Sequence, residues 1–119
     1  MTEVMVVDDS KFERKKVGDM LEDEGYSVLG AKNGQDAVEK YRDQRPDLIL
    51  MDIVMDKMDG VDALKEILNI DQSANVIMVS GVGHEETVSK ALEIGAERYI
   101  IKPALRNKVI PTVNQVLGD

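Results

Sequence analysis

Four short apolar runs, Val4–Val7, Leu48–Met51, Val76–Val79 and Tyr99–Ile101, constrain this chain most, because none of them alternates apolar with polar residues. A strand with one wet face alternates. A strand covered on both faces reads as an unbroken run rich in Val and Ile, which is the pattern of a parallel sheet. Ser27–Ala31 is a weaker run of the same kind and makes a fifth strand. Parallel neighbours cannot be joined by hairpins, so every gap has to hold a crossover.

The gaps carry helix patterns. Ser10-Lys11-Phe12-Glu13 reads as a capping box, in which the Ser hydroxyl and the Glu carboxylate each satisfy a free amide at a helix start. Val17, Met20 and Leu21 follow at helical spacing, and Gly25 stops the helix. Ala37, Val38 and Tyr41 mark a second helix, closed at Arg45-Pro46, and Val61, Leu64, Ile67 and Leu68 mark a third. Val88, Ala91 and Leu92 mark a fourth, ending at Gly95, and Val109, Val113, Val116 and Leu117 a fifth. Asn33-Gly34 would signal a hairpin between two strands. A helix pattern follows it at once, so it is expected to turn a strand into a helix instead. Strand and helix alternate throughout, which predicts an α/β, doubly wound (βα)5 architecture with right-handed crossovers. The chain has 119 residues and no linker or low-complexity tract, so residues 1–119 are expected to form one domain.

In such a sheet, ligands bind beyond the carboxyl ends of the strands. The residues found there are Asp8 and Asp9, Asp52, Ser80 and Lys102. Adjacent acids repel, and burying one unpaired costs on the order of several kcal/mol. The arrangement therefore asks for a cation. Carboxylates are hard oxygen ligands that suit Mg²⁺, which keeps several waters and is often shared with a phosphate. A central carboxylate can also act as a nucleophile and become an aspartyl phosphate. Lys102 would then balance the phosphoryl charge, and the Ser80 hydroxyl would bond a phosphoryl oxygen. The formal charge of −8, from 15 basic and 23 acidic residues, suits a cation guest and argues against nucleic-acid binding. There is no cysteine, no apolar stretch of membrane-spanning length and no signal peptide before the first strand. A cytoplasmic location without membrane association is the expectation.

At these residues the sequence resembles the receiver domains of two-component response regulators, the CheY-like family. The matching pieces are "VVDDS" (7–10 at its core), "LMDIVMDKMDG" (50–60), "VSG" (79–81) and "IKP" (101–103), in order along essentially the whole chain. The resemblance implies a flavodoxin-like sheet of order 2-1-3-4-5. It implies Asp52 as phosphoacceptor and Mg²⁺ held by Asp9, Asp52 and the backbone carbonyl of Val54, with Asp8 either a further ligand or an acid just behind the ligands. It also implies that Ser80 and Lys102 contact the phosphoryl group, that Tyr99 is an aromatic switch, and that the Lys102-Pro103 peptide is cis. The implied partners are a histidine kinase as phosphodonor and a downstream motor or adaptor protein. The downstream partner would dock on the face built from the fourth helix, fifth strand and fifth helix. "NGQDAVEKY", "MDGVDALKEILNID" and "VSGVG" look most like chemotaxis members of the family. A monomeric, stand-alone receiver is expected, since only Gly118-Asp119 follow the fifth helix pattern. A phosphorelay carrier or an excised receiver is the alternative.

Three departures from the family pattern stand out. Asp56 replaces the usual proline after the acceptor and adds an acid near the metal, though its side chain is expected to face solvent. Val54 and Val82 flank the site where many relatives carry polar side chains, and are expected to tune the phosphoryl lifetime. Pro111 falls early in the last helix, where it removes an amide donor, and is tolerable there only if that helix starts near Asn107 or later. His84 is expected to start a helix rather than accept phosphate, the methionines to fill the core, and Glu85, Glu86, Lys90 and Glu93 to form a solvated face. Two other classes fit less well. An Asp-nucleophile phosphatase of the haloacid dehalogenase type needs Asp-x-Asp, whereas Asp8 and Asp9 are adjacent and Ile53-Val54 follow Asp52. A flavodoxin-like cofactor binder needs a Ser/Thr/Gly-rich phosphate loop after the first strand, which is missing.

Overall fold

The computed structural model describes residues 1–118. Its elements run β1 Glu3–Val7, α1 Lys11–Asp23, β2 Ser27–Ala31, α2 Gly34–Gln44, β3 Leu48–Asp52, α3 Gly60–Ile70, β4 Val76–Ser80, α4 Glu85–Ile94, β5 Arg98–Ile101 and α5 Arg106–Leu117. All strand pairs are parallel, in the order β2-β1-β3-β4-β5. The order reverses between β1 and β3, so a crevice opens at the carboxyl ends of those two strands.

Side chains along each strand alternate between two cores. Met5, Val7, Ile49, Met51 and Met78 pack with Ala37, Tyr41, Leu64, Ile67 and Val88 from α2, α3 and α4. Val4, Val6, Leu48, Leu50, Ile77 and Val79 pack with Val17, Leu21, Val109 and Val113 from α1 and α5. Double coverage explains why the strand sequences are unbroken apolar runs.

Local signals end the helices as anticipated. Asn33 caps α2, its side chain accepting from the Asp36 amide at 2.8 Å, so Asn33-Gly34 does turn a strand into a helix. Gly25 follows α1 with φ 91°, and Gly95 caps α4 with φ 142°. His84 stands at the start of α4. The Lys102-Pro103 peptide is cis.

One expectation needs correction. Glu13 does not complete the capping box. The Ser10 hydroxyl accepts from the Glu13 amide at 3.2 Å, but the Ser10 amide donates to Asp8 Oδ1 at 2.9 Å, because the preceding acid is nearer than a side chain one turn on. The last helix starts at Arg106, next to Asn107, as Pro111 was expected to require. Pro111 is exposed, and Asn107, whose carbonyl loses its amide donor, is exposed as well, so water can satisfy that carbonyl.

Candidate functional site

Strand parity assembles the site. Asp8 continues the series Val4–Val6, Asp52 continues Leu48–Leu50, and Lys102 continues from Ile100, all on the α1/α5 face of the sheet. The ladder extends far enough to hold them in register. The Asp8 amide donates to the Ala31 carbonyl at 3.1 Å, and the Lys102 amide to the Ser80 carbonyl at 2.7 Å. Arg14 Nη1 donates to the Asp8 carbonyl at 2.6 Å, fixing the β1–α1 turn.

The result is a compact charged cluster. Carboxylate oxygens of Asp8, Asp9 and Asp52 lie within 4.8 Å of one another. Asp8 and Asp52 are 7% and 6% exposed, whereas Asp9 faces solvent. Lys102 Nζ donates to Asp52 Oδ2 at 3.1 Å and lies 3.5 Å from Asp8 Oδ2. Burial pushes the Asp52 carboxyl up from its ordinary range. The Lys102 ammonium pulls it back, while Asp8 and Asp9 push it further up, and the net shift is upward. Burial acts on Lys102 in the opposite sense, but Asp52 and Asp8 together outweigh it and hold the ammonium above the usual lysine range.

One ammonium cannot balance three carboxylates. The cluster remains net negative, and its exposed member, Asp9, opens it to the solvent side. Such a donor set fits a small divalent cation bound by oxygen.

The other site candidates lie nearby with different roles open to them. Ser80 is 1% exposed and belongs to the Val76–Met78 series, on the opposite parity from the acids. Its hydroxyl donates to the Gly81 carbonyl at 3.0 Å and makes no bond to the acids. Tyr99 on β5 is 50% exposed, with its ring outward beside Val82, Val88 and Leu92. Val54 and Val82 are 59% and 80% exposed, and Asp56 is exposed as well.

Gly60 is a positioning residue that the sequence reading did not single out. A Cβ there would lie 2.2 Å from the Asp52 carbonyl oxygen, so the start of α3 sits directly against the end of β3. The signal was available in Asp59-Gly60, an N-cap followed by the one side chain small enough for that approach.

Fold and site together define a class, and comparison with known proteins agrees. The chain belongs to the response regulator receiver domain family, whose profile matches residues 4–114. Among its relatives is the chemotaxis protein CheY of Treponema pallidum, 50% identical over 117 residues that cover 96% of this chain and 81% of that one. The chemotaxis protein CheY of Thermotoga maritima is 42% identical, with 95% of each chain covered. A chain of the CheX-CheY-BeF3-Mg+2 complex from Borrelia burgdorferi superposes with a TM-score of 0.93 at 38% identity, covering 98% of this chain and 89% of that one.

Proposed function

We propose that this protein is a phosphorylation-driven switch in chemotaxis signalling. In this reading it is a single-domain response regulator that takes a phosphoryl group from a histidine kinase onto Asp52 and then changes its binding to a motor or adaptor protein. The observation that carries the reading is the buried Asp52 carboxylate, gripped by Lys102 at 3.1 Å within an acid cluster that remains net negative. Relatedness to chemotaxis CheY proteins supports the pathway, and the Borrelia complex, which contains Mg²⁺ and CheX, supports the cofactor and an adaptor-type partner.

Asp8, Asp9 and Asp52, with the Val54 carbonyl, would hold Mg²⁺. When bound, the cation would neutralise charge on the phosphoryl oxygens. Asp52 attacks phosphorus in line, the P–N bond to the donor imidazole breaks, and its electrons remain on the leaving nitrogen. Lys102 follows the developing charge from the carboxylate to a phosphoryl oxygen. Ser80 turns its hydroxyl from Gly81 toward another oxygen, and the space it leaves lets the Tyr99 ring swing inward. That movement reshapes the face of α4, β5 and α5, where the downstream partner would dock. The protein turns over no external substrate. Its chemistry is confined to gain and loss of phosphate at its own aspartate.

Mass spectrometry after incubation with acetyl phosphate and Mg²⁺ tests the reading. The expected product is one added phosphoryl mass, labile to base and absent from Asp52→Asn. An unmodified wild-type protein, or an adduct that persists in Asp52→Asn, would refute it.

A further inference from the structure

Beneath the acid cluster, between the sheet and α1 and α5, lies a narrow cavity of about 20 Å³. That is room for a single water. Its walls are Val6, Val17, Leu50, Val79, Ala104 and Val109, with Asp8, Asp52, Lys102 and Glu13 as its charged lining. Glu13 has no part in the chemistry described above. It stands in the first turn of α1, half-buried, and its expected capping partner, the Ser10 amide, is already taken by Asp8. Its carboxylate makes no hydrogen bond or ion pair with any described residue. A fourth acid therefore lines a one-water cavity with Lys102, a cavity that solvent-facing Asp9 does not line. Glu13 and Lys102 both line this space, and a water held there is a candidate bridge between them.

We propose that Glu13 is a positioning residue for Lys102. Its carboxylate, bridged by one water in the cavity, is a second acceptor that draws the ammonium inward, away from the outer end of the cluster. The inference rests on the proposed role of the site and adds a regulator to it. Two consequences share one sign. An ammonium held inward follows a phosphoryl group less readily, and an extra negative charge repels an anionic donor. Glu13 therefore restrains phosphorylation while strengthening the attraction for a divalent cation.

The test uses Glu13→Gln, which removes the charge and keeps the shape, beside Glu22→Gln on the exposed side of the same helix. Both are first treated, without metal, with an amine-selective acylating reagent, and the modified lysines are mapped by mass spectrometry. Lys102 is expected to react about threefold to tenfold faster in Glu13→Gln than in the parent, the size of one charge acting across a partly buried site. The other lysines and the Glu22→Gln protein should match the parent. Equal Lys102 reactivity in Glu13→Gln and the parent would overturn the proposal. At saturating Mg²⁺, Glu13→Gln should also take phosphate from acetyl phosphate faster than Glu22→Gln, and a slower rate would equally overturn it. If the parent takes no phosphate at all, the phosphorylation reading falls, while the acylation result still decides the place of Glu13.

Discussion

In the proposed function, Val54 and Val82, two residues beyond Asp52 and Ser80, would govern how long a phosphate on Asp52 survives. Hydrolysis needs a water aligned behind phosphorus, and methyl groups offer that water no hydrogen bond. A missing orienting contact raises the barrier by about 1–3 kcal/mol, or roughly fivefold to 150-fold in rate. The double variant Val54→Asn/Val82→Glu should therefore lose phosphate faster than the parent by about that factor, followed as phosphate release. Asp56 stands close in sequence and is exposed as well. Lys102→Arg keeps the charge but replaces a compact ammonium with a planar fork, which cannot sit 3.1 Å from Asp52 and 3.5 Å from Asp8 in the same way. Phosphorylation-dependent partner binding, measured by titration, should largely disappear in that variant. Normal affinity would contradict the role proposed for the lysine.

At the scale of elements, close backbone approaches hold the switch point together. A Cβ on Gly34 would lie 2.2 Å from the Met58 carbonyl oxygen, as one on Gly60 would from that of Asp52. Alanine ordinarily favours a helix over glycine by about 1 kcal/mol, but here the backbones would have to separate, and overpacking costs about 1–3 kcal/mol. Strain wins. Gly34→Ala and Gly60→Ala should both lower the urea midpoint, whereas Gly81→Ala, which meets nothing within 4 Å, should not. A second tie joins α2 to the turn after α3. The Tyr41 hydroxyl donates to Asp71 Oδ2 at 2.8 Å, and Arg45 lies 3.5 Å from the same oxygen. Burial, then Asp71, pushes the Tyr41 hydroxyl up to about 12 from 10.0. The folded chain thus holds this proton more tightly than the unfolded one. Its contribution is complete below pH 10 and is lost as pH rises toward about 12. Asp71 behaves oppositely. Hydrogen bonds from the hydroxyls of Ser73 and Tyr41 hold it down at about 2, so its contribution is present above 3.8 and fades as pH falls toward about 2. Tyr41→Phe should therefore be less stable than the parent at neutral pH, with a gap in urea midpoint that narrows at both extremes. A gap independent of pH would show that packing alone, and not this hydrogen bond, ties the elements.

For the molecule as a whole, folding concentrates charge that the extended chain keeps apart. A formal charge of −8 is spread along the sequence, but the fold brings three carboxylates within 4.8 Å. A divalent cation bound only by the folded state adds about 2.7 kcal/mol at a hundred times its dissociation constant. Mg²⁺ should therefore raise the thermal midpoint of the parent. Asp9→Ala should fold at least as stably in its absence, gain little from its addition and fail to accept phosphate. A parent-like rise in that variant would remove Asp9 from the cation site. The unbroken strand runs, the caps at Ser10, Asn33 and Asp59 and the stops at Gly25 and Gly95 are local facts of chain chemistry, so the sequence alone determined the elements and their class. It also determined which residues stand at the strand ends, and through strand parity it held the information that Asp8, Asp52 and Lys102 share a face while Ser80 does not. Tertiary structure alone decided how those groups pair. The Ser10 amide turned to Asp8 instead of Glu13 because both lie in one turn at the sheet edge, and distance favoured the nearer acid. Pro111 could remain inside α5 because Asn107, whose carbonyl it strips of a partner, lies on an exposed stretch that water can reach. The Ser10 contact is an Asx turn that was locally available but competes with the capping box, whereas the exposure of the segment around Pro111 depends on where distant segments come to rest.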